Sequence, residues 1–363
     1  MKLAPLTSLR FFAALGVFLI HYNQLYLQST NSVIVYLRPI FFEGYLWVGF
    51  FFILSGFIIS YSQGKKNEKD TPSHFLLKRF ARIYPVHLLM LVFFCFYFNN
   101  TWIMDQQNSI IYNLLLVQSF IPIAHTYWGY NAVSWSISTE AFFYVSFLFL
   151  SLLKPKYLVS LFLVLIFMLV ASHLYEFESR DVMVWSYYIN PISRAVDFIA
   201  GILLYHLYEY SKDKKIAALL RGTTAEVASI LIMVVFMAIA IKTQFTKSFR
   251  YDLYYIIPMS FIIFTFAVSE GAISKFLSHR ALIILGESSF CLYMIHQLFI
   301  SIAITKITDS PQNASLTQFL ILLPTFLIMA IILSLLIHVT YEKPVAKLII
   351  SLTRKNPITS ERG

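Results

Sequence analysis

The sequence predicts an all-α integral membrane protein, and three observations carry that prediction. Hydrophobic residues make up 58% of the 363-residue chain and charged residues only 13%, about half the charge of an ordinary soluble domain. The apolar residues fall in continuous runs, whereas a membrane β-barrel shows alternating segments of roughly 10 residues. The cations gather at the ends of those runs, which is the signature of membrane topology. A soluble globular enzyme, a disordered chain and a disulfide scaffold are excluded, because so little polar surface cannot cover a soluble domain. The 35 Phe and 23 Tyr argue against an extended coiled coil. A net charge of +10 in a soluble protein suggests nucleic acid, but here the aromatic residues lie inside apolar stretches, apart from the basic ones. No nucleic acid is expected. Cys95 and Cys291 both sit in apolar segments and read as small core residues.

The first apolar run, Phe11 to Leu27, follows Lys2 and Arg10. Its exit reads Gln28-Ser29-Thr30-Asn31, with no small-residue cleavage site, so it reads as a retained span rather than a signal peptide. A window of about 20 residues places further spans near 43–62, 84–99, 134–153, 157–174, 190–210, 224–241, 252–270, 282–304 and 317–340, for about ten transmembrane helices. The stretch 109–122 is apolar but short, contains Asn113 and Gln118, and ends at Pro122. Loop charge decides its fate. With the N-terminus inside and 109–122 not crossing, 21 of the 28 Lys and Arg fall on inner segments, six fall outside, and Arg194 lies within a span. Were 109–122 to cross, every later loop would invert and the bias would largely vanish. The prediction is therefore cytoplasmic N- and C-termini, with 109–122 as a non-crossing, re-entrant or interfacial piece. Residues 1–345 form one transmembrane domain and 346–363 a short basic cytoplasmic tail, with no appended soluble domain expected.

Ionisable residues deep in a span point to function. His21 follows Arg10 by eleven residues, close to three helical turns, so both share a face and lie roughly 16 Å apart along the axis. Glu140, in Trp135-Ser136-Ile137-Ser138-Thr139-Glu140, lies about two turns into its helix, with Ser136 at i−4 on the same face. A carboxylate at that depth needs a partner. Ser289, Tyr293 and His296 share a face at i, i+4 and i+7. Arg194 and Asp197 are spaced i, i+3, and read best as a self-neutralising pair on one helix. Glu287 and Asp252 lie nearer span ends, where solvated readings win. The segment His74 to Pro85 is amphipathic, with Arg79 and Arg82 one turn apart. It reads either as a topogenic, headgroup-binding segment or as a phosphate clamp, which the planar guanidinium fork suits.

Together these pieces resemble the bacterial membrane-bound acyltransferase-3 family. Arg10 leading to His21 is similar to its Arg-x10-His signature, and Phe51-Phe52-Ile53-Leu54-Ser55-Gly56-Phe57 to its second-helix motif. Arg79-Phe80-Ala81-Arg82-Ile83-Tyr84-Pro85 resembles its Arg-x-x-Arg-hydrophobic-Tyr-Pro motif. Trp135 to Glu140 resembles its Trp-Ser-Leu-x-x-Glu element, with Ile137 in place of the usual Leu. Ser289 to His296 is similar to its late Ser-x-x-x-Tyr-x-x-His stretch, and Tyr341-Glu342-Lys343-Pro344 to its closing Glu-x-Pro. Six motifs in order span nearly the whole chain. The resemblance implies transfer of an acyl group, commonly acetyl from acetyl-CoA. The acceptor it implies is a hydroxyl of a cell-envelope polysaccharide or lipid-linked glycan at the bacterial inner membrane.

The residues fit that chemistry. Acyl-CoA is cytoplasmic and polyanionic, and Arg10, Arg79 and Arg82 offer cations on that side. A sugar hydroxyl needs a base near neutral pH, for which histidine is suited. His21 and Glu140 are expected to form one catalytic unit, the carboxylate fixing the imidazole, or His21 to carry an acetyl group itself. Ser136, Tyr293, His296, Arg194 and Asp197 are expected in substrate or support roles. No metal is expected, since His21, Glu140 and His296 lie on separate helices without ligand spacing. The rival class is a polytopic transporter of a glycan or a proton-coupled solute, because mid-membrane His and Glu also suit a proton relay.

Overall fold

A computed structural model describes residues 3–27, 29–36, 43–65, 70–97, 107–177, 179–243, 246–307 and 316–354. The chain is helical throughout these residues. Its main elements are α1 (Ala4–Gln24), α2 (Leu46–Gly64), α3 (Pro72–Tyr97), α4 (Gln107–Leu114), α5 (Trp135–Leu150), α6 (Pro155–Ser172) and α7 (Pro191–Ser211). They continue with α8 (Thr223–Thr243), α9 (Ile256–Val268), α10 (Arg280–Glu287), α11 (Ser289–Ile307), α12 (Leu316–Ile337) and α13 (Lys343–Arg354).

Among the described residues, 8 helices are long and apolar enough to cross a membrane, or up to 9 if the bent pair α10–α11 counts as one span. The expected ten is reduced for a physical reason. The predicted span 190–210 is the 21-residue α7, whose Arg194, Asp197 and Glu209 hold its hydropathy down. Its two deepest charges, Arg194 and Asp197, are buried against other helices. The predicted span 282–304 is not straight, since α10 and α11 meet at 62°. The expected break between an amphipathic segment and a span at Tyr84 is also absent. Residues 72–97 form one helix through Pro85, which membrane helices tolerate when a neighbour answers the freed backbone groups. The group freed there is the Ala81 carbonyl, one turn back, while the Tyr341 hydroxyl donates to the Pro85 carbonyl at 3.3 Å and ties α3 to the end of α12. The tail expected from 346 is helical to Arg354 within α13, which packs on α3; residues 355–363 lie outside the described residues.

The stretch 109–122 is too short to cross. α4 has 8 residues, about 12 Å of rise, and the chain turns at Leu116, whose φ of 55° lies in the left-handed region. Several of its buried polar groups are answered by residues at the start of α5. Ser138 bonds Ser119 at 2.6 Å and the Leu116 carbonyl at 2.7 Å, and Gln118 donates to the Ser134 carbonyl at 3.1 Å. The same hydroxyl-rich turn that reads as a motif in sequence thus pins this piece in place.

Helices α2 and α7 make the most extensive contact in the fold. Gly56 lies against the Phe198 carbonyl and Gly201 against the Ile53 carbonyl. Neither position leaves room for a Cβ, and small residues let membrane helices approach this closely. By contrast α6, α8 and α12 expose much of their apolar surface, including Phe167, Val234 and Ile332. These are the faces that lipid covers. Two cores result, one around α1, α3, α5 and α11, and one around α2, α7 and α9.

Candidate active site

Five helices line an open cavity with about 720 Å³ of empty space, its solvent-facing mouth included. α1 contributes Arg10, α2 Ser55, α3 Arg79 and Arg82, and α5 Ser136, Glu140 and Tyr144, with Tyr293 of α11 closing one wall. The α5 residues are spaced i, i+4 and i+8, so one helix face presents all three. The remaining lining is apolar, from Val48, Phe51, Phe52, Leu54, Ile58, Ile59, Ile137 and Phe290.

Glu140 accepts hydrogen bonds from Tyr144 at 2.5 Å and Ser55 at 3.4 Å. Arg79 donates to Ser62 at 3.3 Å and lies 5.4 Å from the Phe75 ring and 5.9 Å from the Tyr144 ring. Arg10 and Arg82 make no hydrogen bond or ion pair with any described residue. Arg10 is within electrostatic reach of Arg82, Glu140 and Glu342. The cavity thus carries three guanidiniums against one lining carboxylate. Two of the three have all their donors available, the arrangement an anionic ligand requires.

His21 does not meet Glu140. The expected contact is absent: no hydrogen bond joins them, and His21 does not line the cavity. Its partner is His296, whose Nε2 lies 3.1 Å from His21 Nδ1. The hydrogen positions follow from the neighbours. His296 Nδ1 lies 2.6 Å from the Tyr293 carbonyl, which only accepts, so Nδ1 carries the proton and Nε2 the lone pair. His21 Nδ1 lies 2.9 Å from the Val17 carbonyl and faces His296 Nε2, both acceptors, so it too is protonated. In the neutral ring His21 Nε2 is then unprotonated, as a general base requires. The tautomer control expected of Glu140 comes instead from a backbone carbonyl and a second histidine. Tyr293 links the pair to the cavity: its hydroxyl lies 2.7 Å from Ser136 Oγ, and its ring centroid 5.9 Å from that of His296.

Arg194 and Asp197 pair as spaced, at 2.7 Å, but away from this cavity. Arg194 donates to the Tyr251 carbonyl and lies over Phe52 and Tyr188 at 5.4 and 5.8 Å. Nearby, Glu43 pairs with Arg250 and accepts from Tyr45 at 2.7 Å and Tyr255 at 2.5 Å. The sequence reading missed Tyr144 and Ser55 as partners of Glu140. Tyr144 was visible as an i+4 neighbour, whereas Ser55 is brought in only by helix packing.

Residues 5–339 match the model of a family described as an acyltransferase domain. The chain is 36% identical over 156 residues to the acyltransferase MdmB of Streptomyces mycarofaciens, covering 40% of this chain and 38% of that protein. It is 23% identical over 318 residues to the O-acetyltransferase OatA of Staphylococcus aureus, covering 81% of this chain and 50% of that protein. The chain therefore spans half or less of the length of these relatives. No solved structure matches it. The family match favours transfer chemistry over the transport reading, and with helices long enough to cross a membrane several times, the chain belongs to the membrane-bound acyltransferase-3 family.

Proposed function

We propose that this protein transfers acetyl from acetyl-CoA to a hydroxyl of a cell-envelope polysaccharide or lipid-linked glycan, at the bacterial inner membrane. The observation that carries the reading is the cavity in which Arg10 and Arg82 have no acceptor among the described residues. The donor is a thioester attached to several phosphate groups, and guanidinium forks recognise phosphate bidentately. Arg79 joins them, held by Ser62. Glu140 is a positioning residue that holds Tyr144 and Ser55 in the wall facing these cations.

In the proposed step, His21 Nε2 takes the proton of the acceptor hydroxyl while its oxygen attacks the thioester carbonyl carbon. The new C–O bond forms, the C–S bond breaks, and the proton on His21 passes to the departing thiolate, giving the acetyl ester and free CoA. His296 holds His21 in the required tautomer. The relatives support the chemistry, since one is named an acyltransferase and another an O-acetyltransferase.

The test is the purified protein with radiolabelled acetyl-CoA, with and without candidate envelope glycans. Label appearing in a glycan as an alkali-labile ester is the expected result. No bound acetyl-CoA and no transfer to any hydroxyl acceptor would end this reading.

A further inference from the structure

The chain leaves α12 through a widened helical turn, His338–Glu342, with i→i+5 bonding. Such turns recur at functional sites. Here the turn sets His338 and Glu342 side by side, Nδ1 lying 2.6 Å from Oε2. Cys291 of α11 brings its Sγ to 3.0 Å from the same oxygen. The three side chains are 0%, 4% and 6% exposed for Cys291, His338 and Glu342, and their ligand atoms all lie within 4.8 Å of one another. His338 Nε2 is buried with no hydrogen-bond partner. It lies 3.9 Å from Glu287 Oε2, itself held by Lys343 at 2.9 Å.

We propose that Cys291, His338 and Glu342 bind a divalent metal ion, best matched to Zn²⁺, which ties α11 to the end of α12 beside the arginine-lined cavity. Thiolate, imidazole and carboxylate are the donors zinc takes. Tetrahedral bonds of about 2.0–2.3 Å put ligand atoms roughly 3.5 Å apart, so the two contacts to Glu342, now 2.6 and 3.0 Å, widen by less than about 1 Å to admit the ion. A thiolate and a carboxylate together neutralise the dication, so the filled site buries no net charge, which removes the main cost of placing an ion there. Metal on His338 Nδ1 also explains the orphaned Nε2. That nitrogen then carries the ring proton and faces the Glu287 carboxylate, the usual outer partner of a metal-bound histidine. On binding, Cys291 loses its thiol proton to solvent and the His338 proton moves from Nδ1 to Nε2, so one proton is released per ion. Three protein ligands leave a fourth position for water. The neighbouring Phe290 lines the cavity, and Glu342 lies within electrostatic reach of Arg10 and Arg82. The ion would thus fix the wall against which the donor packs.

The experiment uses full-length, tag-free protein in detergent, stripped with a chelator and reconstituted with zinc chloride alone. Elemental analysis should return one zinc per chain, and cobalt substitution should give a thiolate-to-cobalt charge-transfer band. Cys291→Ser should abolish that band and weaken zinc binding at least about 100-fold. Glu287→Gln, at a partly exposed position, should keep the fold and weaken binding roughly 10- to 100-fold, the range for outer-shell partners. Substoichiometric zinc in folded wild-type protein overturns the site, whatever the variants do. So does zinc retained undiminished by a folded Cys291→Ser,His338→Ala protein; the trio is then a hydrogen-bonded cluster holding protons only.

Discussion

Arg194 and Arg82 are both guanidiniums within the helical bundle, yet the protein treats them in opposite ways. Arg194 is answered by Asp197, by the Tyr251 carbonyl and by two aromatic faces. Around it Glu43 is matched with Arg250, and Asp252 accepts from His173 at 3.3 Å. In the neighbouring cavity, Arg82 and Arg10 have no acceptor among the described residues. Both groups stand out in the sequence as expensive charges in a membrane. The difference shows that burial alone does not mark a ligand site. A charge already neutralised holds helices together, whereas an excess of one sign in a cavity calls for something from outside.

The comparison assigns chemistry to the cavity and its histidine pair, and the sharpest test removes the base. His21→Ala should lower acetyl transfer about 10²- to 10⁴-fold, with acetyl-CoA affinity largely retained in equilibrium binding. Near wild-type turnover would move the base to another residue. At the other end, Asp197→Ala leaves Arg194 buried without its carboxylate. Breaking a buried pair from one side costs about 3–5 kcal/mol, so thermal unfolding in detergent should shift sharply downward. Donor affinity in the surviving folded fraction should be unchanged. A variant as stable as wild type would mean that the Arg194 cluster is not structural.

Arg82→Ala should do the reverse, weakening acetyl-CoA binding while leaving the melting temperature close to wild type. A charge-assisted hydrogen bond contributes about 1.5–3 kcal/mol, equivalent to roughly 10- to 150-fold in affinity. Arg82→Lys should restore part of it, since charge returns without the planar fork. Unchanged affinity in Arg82→Ala would return the segment to a lipid-headgroup role and erase the contrast with Arg194.

How far the sequence reached differs between the two regions for a physical reason. The Arg194–Asp197 pair lies on one helix at i, i+3, so spacing alone predicts it. Glu140 and Tyr144, at i, i+4, offer the same kind of spacing signal, which the sequence reading passed over. The His21–His296 pair was not, because it depends on α1 lying against α11, and no local periodicity reports which helices are neighbours. The same gap explains why the expected unit of His21 and Glu140 does not form a hydrogen bond here: spacing places each residue along its own helix but not the two helices beside each other. The span count, about ten expected against 8 or 9 among the described residues, differs on a related point. A hydropathy window cannot distinguish a charged helix that hides its charges against partners from one that exposes them, and α7 is the former. Cys291, His338 and Glu342 illustrate both cases, two residues on one turn and the third supplied by packing.

The smallest expected effect falls on Tyr293, which touches both the cavity and the histidine pair. Its hydroxyl bonds Ser136 at 2.7 Å and the Val133 carbonyl at 3.2 Å, while Ser136 keeps its own bond to that carbonyl at 2.9 Å. Tyr293→Phe therefore strips one hydroxyl without leaving Ser136 unpaired, and its ring can still pack beside His296. A net hydrogen bond contributes about 0.5–1.5 kcal/mol, so the change should be roughly 2- to 13-fold wherever it appears. Where it appears is the informative part. If Tyr293 only braces α5 against α11, the loss should show as a lower melting temperature with kcat preserved. If its hydroxyl positions the reacting groups between the arginine cavity and His21, kcat should fall while stability and the KM for acetyl-CoA hold. The second outcome is expected, because Tyr293 lines the cavity and its hydroxyl bonds Ser136, which lines the cavity with it. A stability loss without a kcat change would place the boundary between structural and chemical residues on the cavity side of Tyr293.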